Sequence, residues 1–121
     1  MIKVLKKTYR SVRTRFCRMR TMMYSIQCRR IVASCGKHLL VNGKCTFSST
    51  THIGDFCNFN RINILGGGKV FIGNYFHSGI ECMIITQNHN YEGRKIPYDD
   101  TYIKKNVTIS DCVWFGNRVL E

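Results

Sequence analysis

No aspartate or glutamate occurs before Asp55, whereas residues 1–54 hold twelve Lys/Arg: Lys3, Lys6, Lys7, Arg10, Arg13, Arg15, Arg18, Arg20, Arg29, Arg30, Lys37 and Lys44. From Asp55 onward, seven cations meet seven anions, so the formal net charge of +12 belongs to the N-terminal part. A charge confined to one end describes a contact surface, not the chemistry of a whole domain, and it argues against nucleic-acid binding as the general function. No run approaches the ~18 apolar residues of a membrane-spanning helix. The basic start lacks the apolar core and small-residue cleavage site of a secretory signal. Among the seven cysteines no two are spaced C-x2-C, which speaks against a zinc site, and without a signal they read as reduced cytosolic thiols. With 44% hydrophobic and 12% aromatic residues in 121, one globular domain is expected.

What is present begins with a helical seam. Ile2, Leu5, Tyr9, Val12, Phe16, Met19, Met23 and Ile26 alternate in steps of three and four, a repeat of 3.5 residues. Lys and Arg fill the intervening positions, so residues 1–30 read as a basic amphipathic helical arm. Three readings stay open: a helix packed on its own domain or a partner subunit, a helix lying on an anionic membrane surface, and, least supported, a nucleic-acid contact.

A second period follows. Every sixth residue from Cys35 is Cys35, Val41, Phe47, Ile53, Phe59 and Leu65. After one extra residue come Ile72, Ser78 and Ile84, and after an insertion Ile103, Ile109 and Phe115. A period of six is neither helix nor simple strand. It predicts short strands joined at corners, three per turn of about 18 residues. Inward residues would then stack in three columns: Cys35, Ile53, Ile72, Ile103; Val41, Phe59, Ser78, Ile109; and Phe47, Leu65, Ile84, Phe115. Cys45, Cys57 and Cys82 fall at inward corners and Cys35 in a column, so they read as packing residues.

The stretch from about 31 to 121 resembles the hexapeptide-repeat acyltransferases, most closely sugar and surface-polysaccharide O-acetyltransferases. "NVTISDCVWFGNRV" (106–119) is similar to a family coil, and "GDFCNFNRINIL" (54–65) to the family's segment around an acceptor-contacting asparagine. The resemblance implies a mainly β fold: a left-handed parallel β-helix of about four coils over 31–121, preceded by the basic α-helix, with a loop insertion at 85–102. Family members continue beyond the point matching Glu121, so the chain reads as C-terminally truncated relative to them.

The break in the period between Ile84 and Ile103 marks a loop where function is commonly placed, and His89 in "IITQNHNYEG" stands where it starts. By resemblance His89 is the catalytic base of acetyl transfer. A neutral imidazole suits removal of a hydroxyl proton during attack on a thioester, and backbone N–H groups or an amide would hold the oxyanion. His77 is a weaker rival. His52 projects from a corner, and His38 lies outside the implied site. Asn58 matches the acceptor-contacting asparagine and Phe56 its neighbouring aromatic; Tyr91, with Tyr98, Asp99 and Asp100, is expected to shape the acceptor pocket. Trp114 and Asn117 match positions near the acyl-CoA thioester, and Glu81 is a candidate to orient His89.

The expected protein is therefore an acyltransferase, an acetyl-CoA-dependent O-acetyltransferase of a saccharide or glycoconjugate hydroxyl. It uses no metal and works as a homotrimer with sites between subunits. Its expected place is the cytoplasm, peripheral at the inner membrane face through the basic arm. The competing expectation is a non-catalytic fragment that binds a membrane or partner through that arm.

Overall fold

A computed structural model describes all residues, 1–121. Helix α1 runs from Ile2 to Ile31. Its sequence has no glycine or proline, and its Lys, Arg, Leu and Met side chains, unbranched at Cβ, lose little freedom in a helix. It stops at Val32, whose φ of −70° and ψ of 156° are extended. Ser25 and Cys28 are its buried residues. Ser25 Oγ donates to the Thr21 carbonyl (2.7 Å) and accepts from Val41 N–H (3.0 Å), and Thr21 Oγ1 donates to Asn42 Oδ1 (3.2 Å). These bonds tie the C-terminal third of α1 to the second strand after it, Leu40–Asn42.

Twelve strands come next: β1 (Ser34–Cys35), β2 (Leu40–Asn42), β3 (Thr51–Ile53), β4 (Asn58–Asn60), β5 (Asn63–Leu65), β6 (Val70–Ile72), β7 (His77–Ser78), β8 (Met83–Ile85), β9 (Gln87–His89), β10 (Tyr102–Lys104), β11 (Val107–Ile109) and β12 (Trp114–Phe115). They form four small sheets. Two have four strands, in the orders β1-β3-β6-β11 and β12-β7-β4-β2, and two have two, β5-β8 and β10-β9. All pairings are parallel except β9 with β10.

This architecture corrects the expected fold. The chain is an α/β mix rather than mainly β, and no left-handed β-helix is evident. One reason is the 30-residue helix. The other is that strands of two or three residues fall into separate parallel and antiparallel sheets.

The register also corrects the expected columns. Cys35, Ile53 and Ile72 do align, but the next member is Ile109, not Ile103. Ile103 instead pairs with Asn88 in the antiparallel hairpin, so the hairpin as a whole is inserted. Phe115 consequently aligns with Ser78 rather than with Ile84. In the third column Ile64 is buried (1% exposed), while Leu65 is 40% exposed. The extra length is taken up in Gly66–Gly67–Gly68 instead. There Gly66 adopts φ +102°, and Gly68 N–H donates to Thr86 Oγ1 (3.1 Å).

The core is a single cluster centred on Phe59, Phe76, Ile62, Ile64, Ile84 and Val70, all buried. Phe47 meets Phe59 edge-on with centroids 5.2 Å apart. Cys57 and Cys82 are buried within the cluster, and their thiols donate to the carbonyls of Gly73 (3.3 Å) and Gly116 (3.0 Å). All seven cysteines are free thiols.

A ladder of side chains braces one corner. Asp55 Oδ1 accepts from Lys37 N–H (2.9 Å), Asn74 Oδ1 from Asp55 N–H (2.8 Å) and Asp111 Oδ1 from Asn74 N–H (2.7 Å). His38, Phe56, Tyr75 and Cys112 take left-handed φ of 56–57° along the same corner. The rings of His38, Phe56 and Tyr75 stack there, 4.7 and 5.1 Å apart, which helps hold a backbone conformation that bulky residues rarely adopt.

Candidate functional site

His89 closes strand β9 opposite Tyr102 of β10. Its ring stacks on Tyr98 at 3.9 Å between centroids and leans on Tyr102 at 4.9 Å. The imidazole is exposed and held through its faces, and an aromatic ring gripped by its faces keeps its edge nitrogens available.

The loop that carries Tyr98 is tied by Asp99. One carboxylate oxygen accepts from Arg94 N–H (3.1 Å), the other from Thr101 N–H (2.9 Å) and from the Thr101 hydroxyl. The Thr101 hydroxyl, then the two backbone donors, hold the Asp99 carboxyl below its usual range. Asn90 serves the same loop: its side-chain oxygen accepts from Glu92 N–H (3.1 Å) and its backbone N–H reaches the Thr101 carbonyl (3.0 Å).

Tyr91 does not share a cavity with His89. It lines a pocket of about 270 Å³ with Ile85, Thr86, Gln87, Asn88, Ile103 and Lys105. Adjacent residues of a strand face opposite sides, so Asn88 lies across the hairpin from His89. Glu81 does not orient His89. It forms an exposed ion pair with Arg118 Nε (2.8 Å), a contact of little energetic consequence.

The other expected residues gather on the sheet β12-β7-β4-β2. Asn58 is in register with His77, and His77 with Trp114. Asn42 Nδ2 donates to Asn58 Oδ1 (2.8 Å) and to Asn60 Oδ1 (3.2 Å), and Asn60 Nδ2 lies 3.4 Å from His77 Nε2. Trp114 is 74% exposed. Phe56 and Asn58 line a pocket of about 250 Å³ with His38, Leu40 and Cys57. Asn117 turns its side-chain oxygen to Ile80 N–H (3.0 Å), a corner-bracing role.

The expected residues thus form two separate groups: His89 with Tyr98, joined by Tyr102, and Asn58, His77 and Trp114 in one row. Sequence reasoning missed Asn42, Asn60 and Tyr102. The first two carry a signal, an N-F-N run at 58–60 one turn after Val41-Asn42, but Tyr102 becomes visible only once the antiparallel register is known. No group of His, Cys, Asp and Glu is placed to hold a metal ion, and no helix is long and apolar enough to cross a membrane. No family model, curated protein or solved structure matches this chain.

Proposed function

We propose that the protein is an acetyl-CoA-dependent O-acetyltransferase acting on a saccharide or glycoconjugate hydroxyl, with His89 as general base. The observation that carries this reading is the setting of His89: an exposed imidazole at the mouth of an inserted hairpin, fixed through its faces by Tyr98 and Tyr102. The likeness of segments 54–65 and 106–119 to sugar O-acetyltransferases adds the choice of donor and acceptor. In the reaction an imidazole nitrogen accepts the acceptor's hydroxyl proton as its oxygen attacks the thioester carbonyl. The C–O bond forms, the C–S bond breaks as the tetrahedral intermediate collapses, and the proton passes to the departing thiolate. No covalent enzyme intermediate and no metal enter. Tyrosines pair an apolar ring with a polar hydroxyl, a chemistry matched to the two-sided surface of a sugar.

Asn58 and Trp114 lie on another sheet, with Phe56 at the corner before β4, so the reading includes a homotrimer in which the hairpin of one copy faces that row on the next. A second reading takes His77 as the base, because it alone stands between Asn58 and Trp114. The test is thiol release from acetyl-CoA against a panel of neutral and amino sugars, with a mass gain of one acetyl group on the acceptor. Acceptor-dependent release supports the transferase; its absence in a folded chain that also fails to bind acetyl-CoA removes it.

A further inference from the structure

From the free face of α1 we infer that this helix docks, apolar seam down, on an anionic lipid surface. The inference stands apart from the transferase reading. Ile2, Leu5, Tyr9, Val12, Phe16, Met19, Met23 and Ile26 are 46–69% exposed. The helix instead uses Thr21, Ser25 and Cys28 to hold the strands. At 3.6 residues per turn, that face lies roughly 160° round the helix from the seam, so one helix cannot bury both against the same domain. Every residue from 1 to 16 is exposed. The N-terminal half therefore presents a stripe roughly 20 Å long with no protein covering it.

Charge selects the occupant. The helix carries ten Lys/Arg and no acid. On the N-terminal side Lys3, Lys6, Lys7, Arg10 and Arg13 project away from the seam or flank it, close enough for their charges to meet headgroups around an interfacial helix. A second copy is disfavoured. In a coil built on this seam the charged flanking positions would be Lys6, Arg13, Arg15 and Arg20 with no acid among them, so no partner-selecting salt bridge could form and Arg15 would face Arg20 in a parallel pair. The isolated helix also carries its own strain. Lys3–Lys7 and Lys6–Arg10 repel at i,i+4, the first turn has no acid and no side-chain cap, and Lys3 opposes the helix dipole. Anionic headgroups relieve all of these at once, and the exposed stripe supplies the buried apolar contact that stable interfacial binding needs.

The experiment uses the full chain with phosphatidylcholine vesicles and with vesicles containing about a third phosphatidylglycerol. Co-sedimentation at 0.15 M salt is expected only with the anionic vesicles, together with a gain in helical circular dichroism. Val12→Gln/Phe16→Gln changes residues that are 62% and 65% exposed and leaves the charge unaltered, so the fold survives while binding falls more than tenfold. Arg10→Gln/Arg13→Gln/Arg18→Gln lowers it about a hundredfold. Binding unchanged by the double glutamine variant would reduce the contact to charge adsorption and overturn seam-down docking. Failure to bind, with self-association that the same variant abolishes, would overturn it in favour of a second copy.

Discussion

A pair of glycines at equivalent corners offers a quantitative test of how tightly the strands are stacked. A Cβ built on Gly54 would lie 2.5 Å from Asn74 Oδ1, 2.8 Å from Gly73 C and 2.9 Å from Asn74 N, whereas one on Gly116 meets nothing within 4 Å. Carbon contacts settle at about 3.5–4.0 Å, so Gly54→Ala must push the next rung away by roughly 1 Å or turn Asn74 aside. Turning Asn74 strips Asp55 N–H of its acceptor, now at 2.8 Å. An orphaned donor costs about 1–3 kcal/mol, and overpacking costs about 1–3 kcal/mol. We expect Gly54→Ala to lose about 3 kcal/mol, a fall in Tm of about 12 °C at about 4 °C per kcal/mol. Gly116→Ala should stay within about 0.5 kcal/mol of the parent. Thermal and urea unfolding followed by far-UV circular dichroism read both. Equal stabilities for the two variants would refute the close approach at Gly54 and the register that produces it.

Two further predictions concern the core and its thiols. Phe59→Ala removes a fully buried ring set against Phe47 and Phe76, and should cost about 3–5 kcal/mol in urea unfolding. The Cys28 thiol is pushed from an ordinary 9.0 to about 12, chiefly by burial and then by the neighbouring Cys35 and Cys45. Its folded pKa is raised, so the associated stability is intact below about pH 9 and drains away as pH climbs toward 12, by at most about 1.4 kcal/mol per pH unit. Native-state alkylation at pH 8, read by peptide mass spectrometry, should modify the exposed Cys112 and spare Cys28; early labelling of Cys28 would contradict its burial.

The apolar period of six is legible in the sequence because each sixth side chain points into one core. That is why Val41, Ile53, Phe59, Ile72 and Ile84 can be named as interior without coordinates, and all five are buried. The columns failed at two places where period alone carries no information. One was the choice between Ile64 and Leu65, which are equally apolar; three glycines let the chain absorb the extra residue after them. The other was Ile103, apolar and on the beat, yet claimed by antiparallel pairing with Asn88. The fold class was missed for a related reason: a repeat predicts which residues face inward, not how many strands join one sheet. The helix seam is legible too, but its partner is not, since a 3.5-residue repeat looks the same whether protein or lipid covers it. In the candidate site, His89 is marked by the break in the series, while Tyr98 reaches it through the loop closed by Asp99 and Tyr102 through the antiparallel register. Asn58 and Trp114 were found by likeness; that His77 stands between them is a fact of register.

The central claim is that His89 takes the proton, and the direct measurement is kcat for acetyl transfer by His89→Ala and His77→Ala beside the parent chain. With each variant first shown to keep the parent's circular dichroism, His89→Ala should lose about 10²–10⁴-fold in kcat, the usual worth of a positioned general base. His77→Ala should raise KM for one substrate while kcat stays within a few fold. Loss of kcat in His77→Ala with retention in His89→Ala would contradict the account and move the chemistry to the row of Asn58 and Trp114.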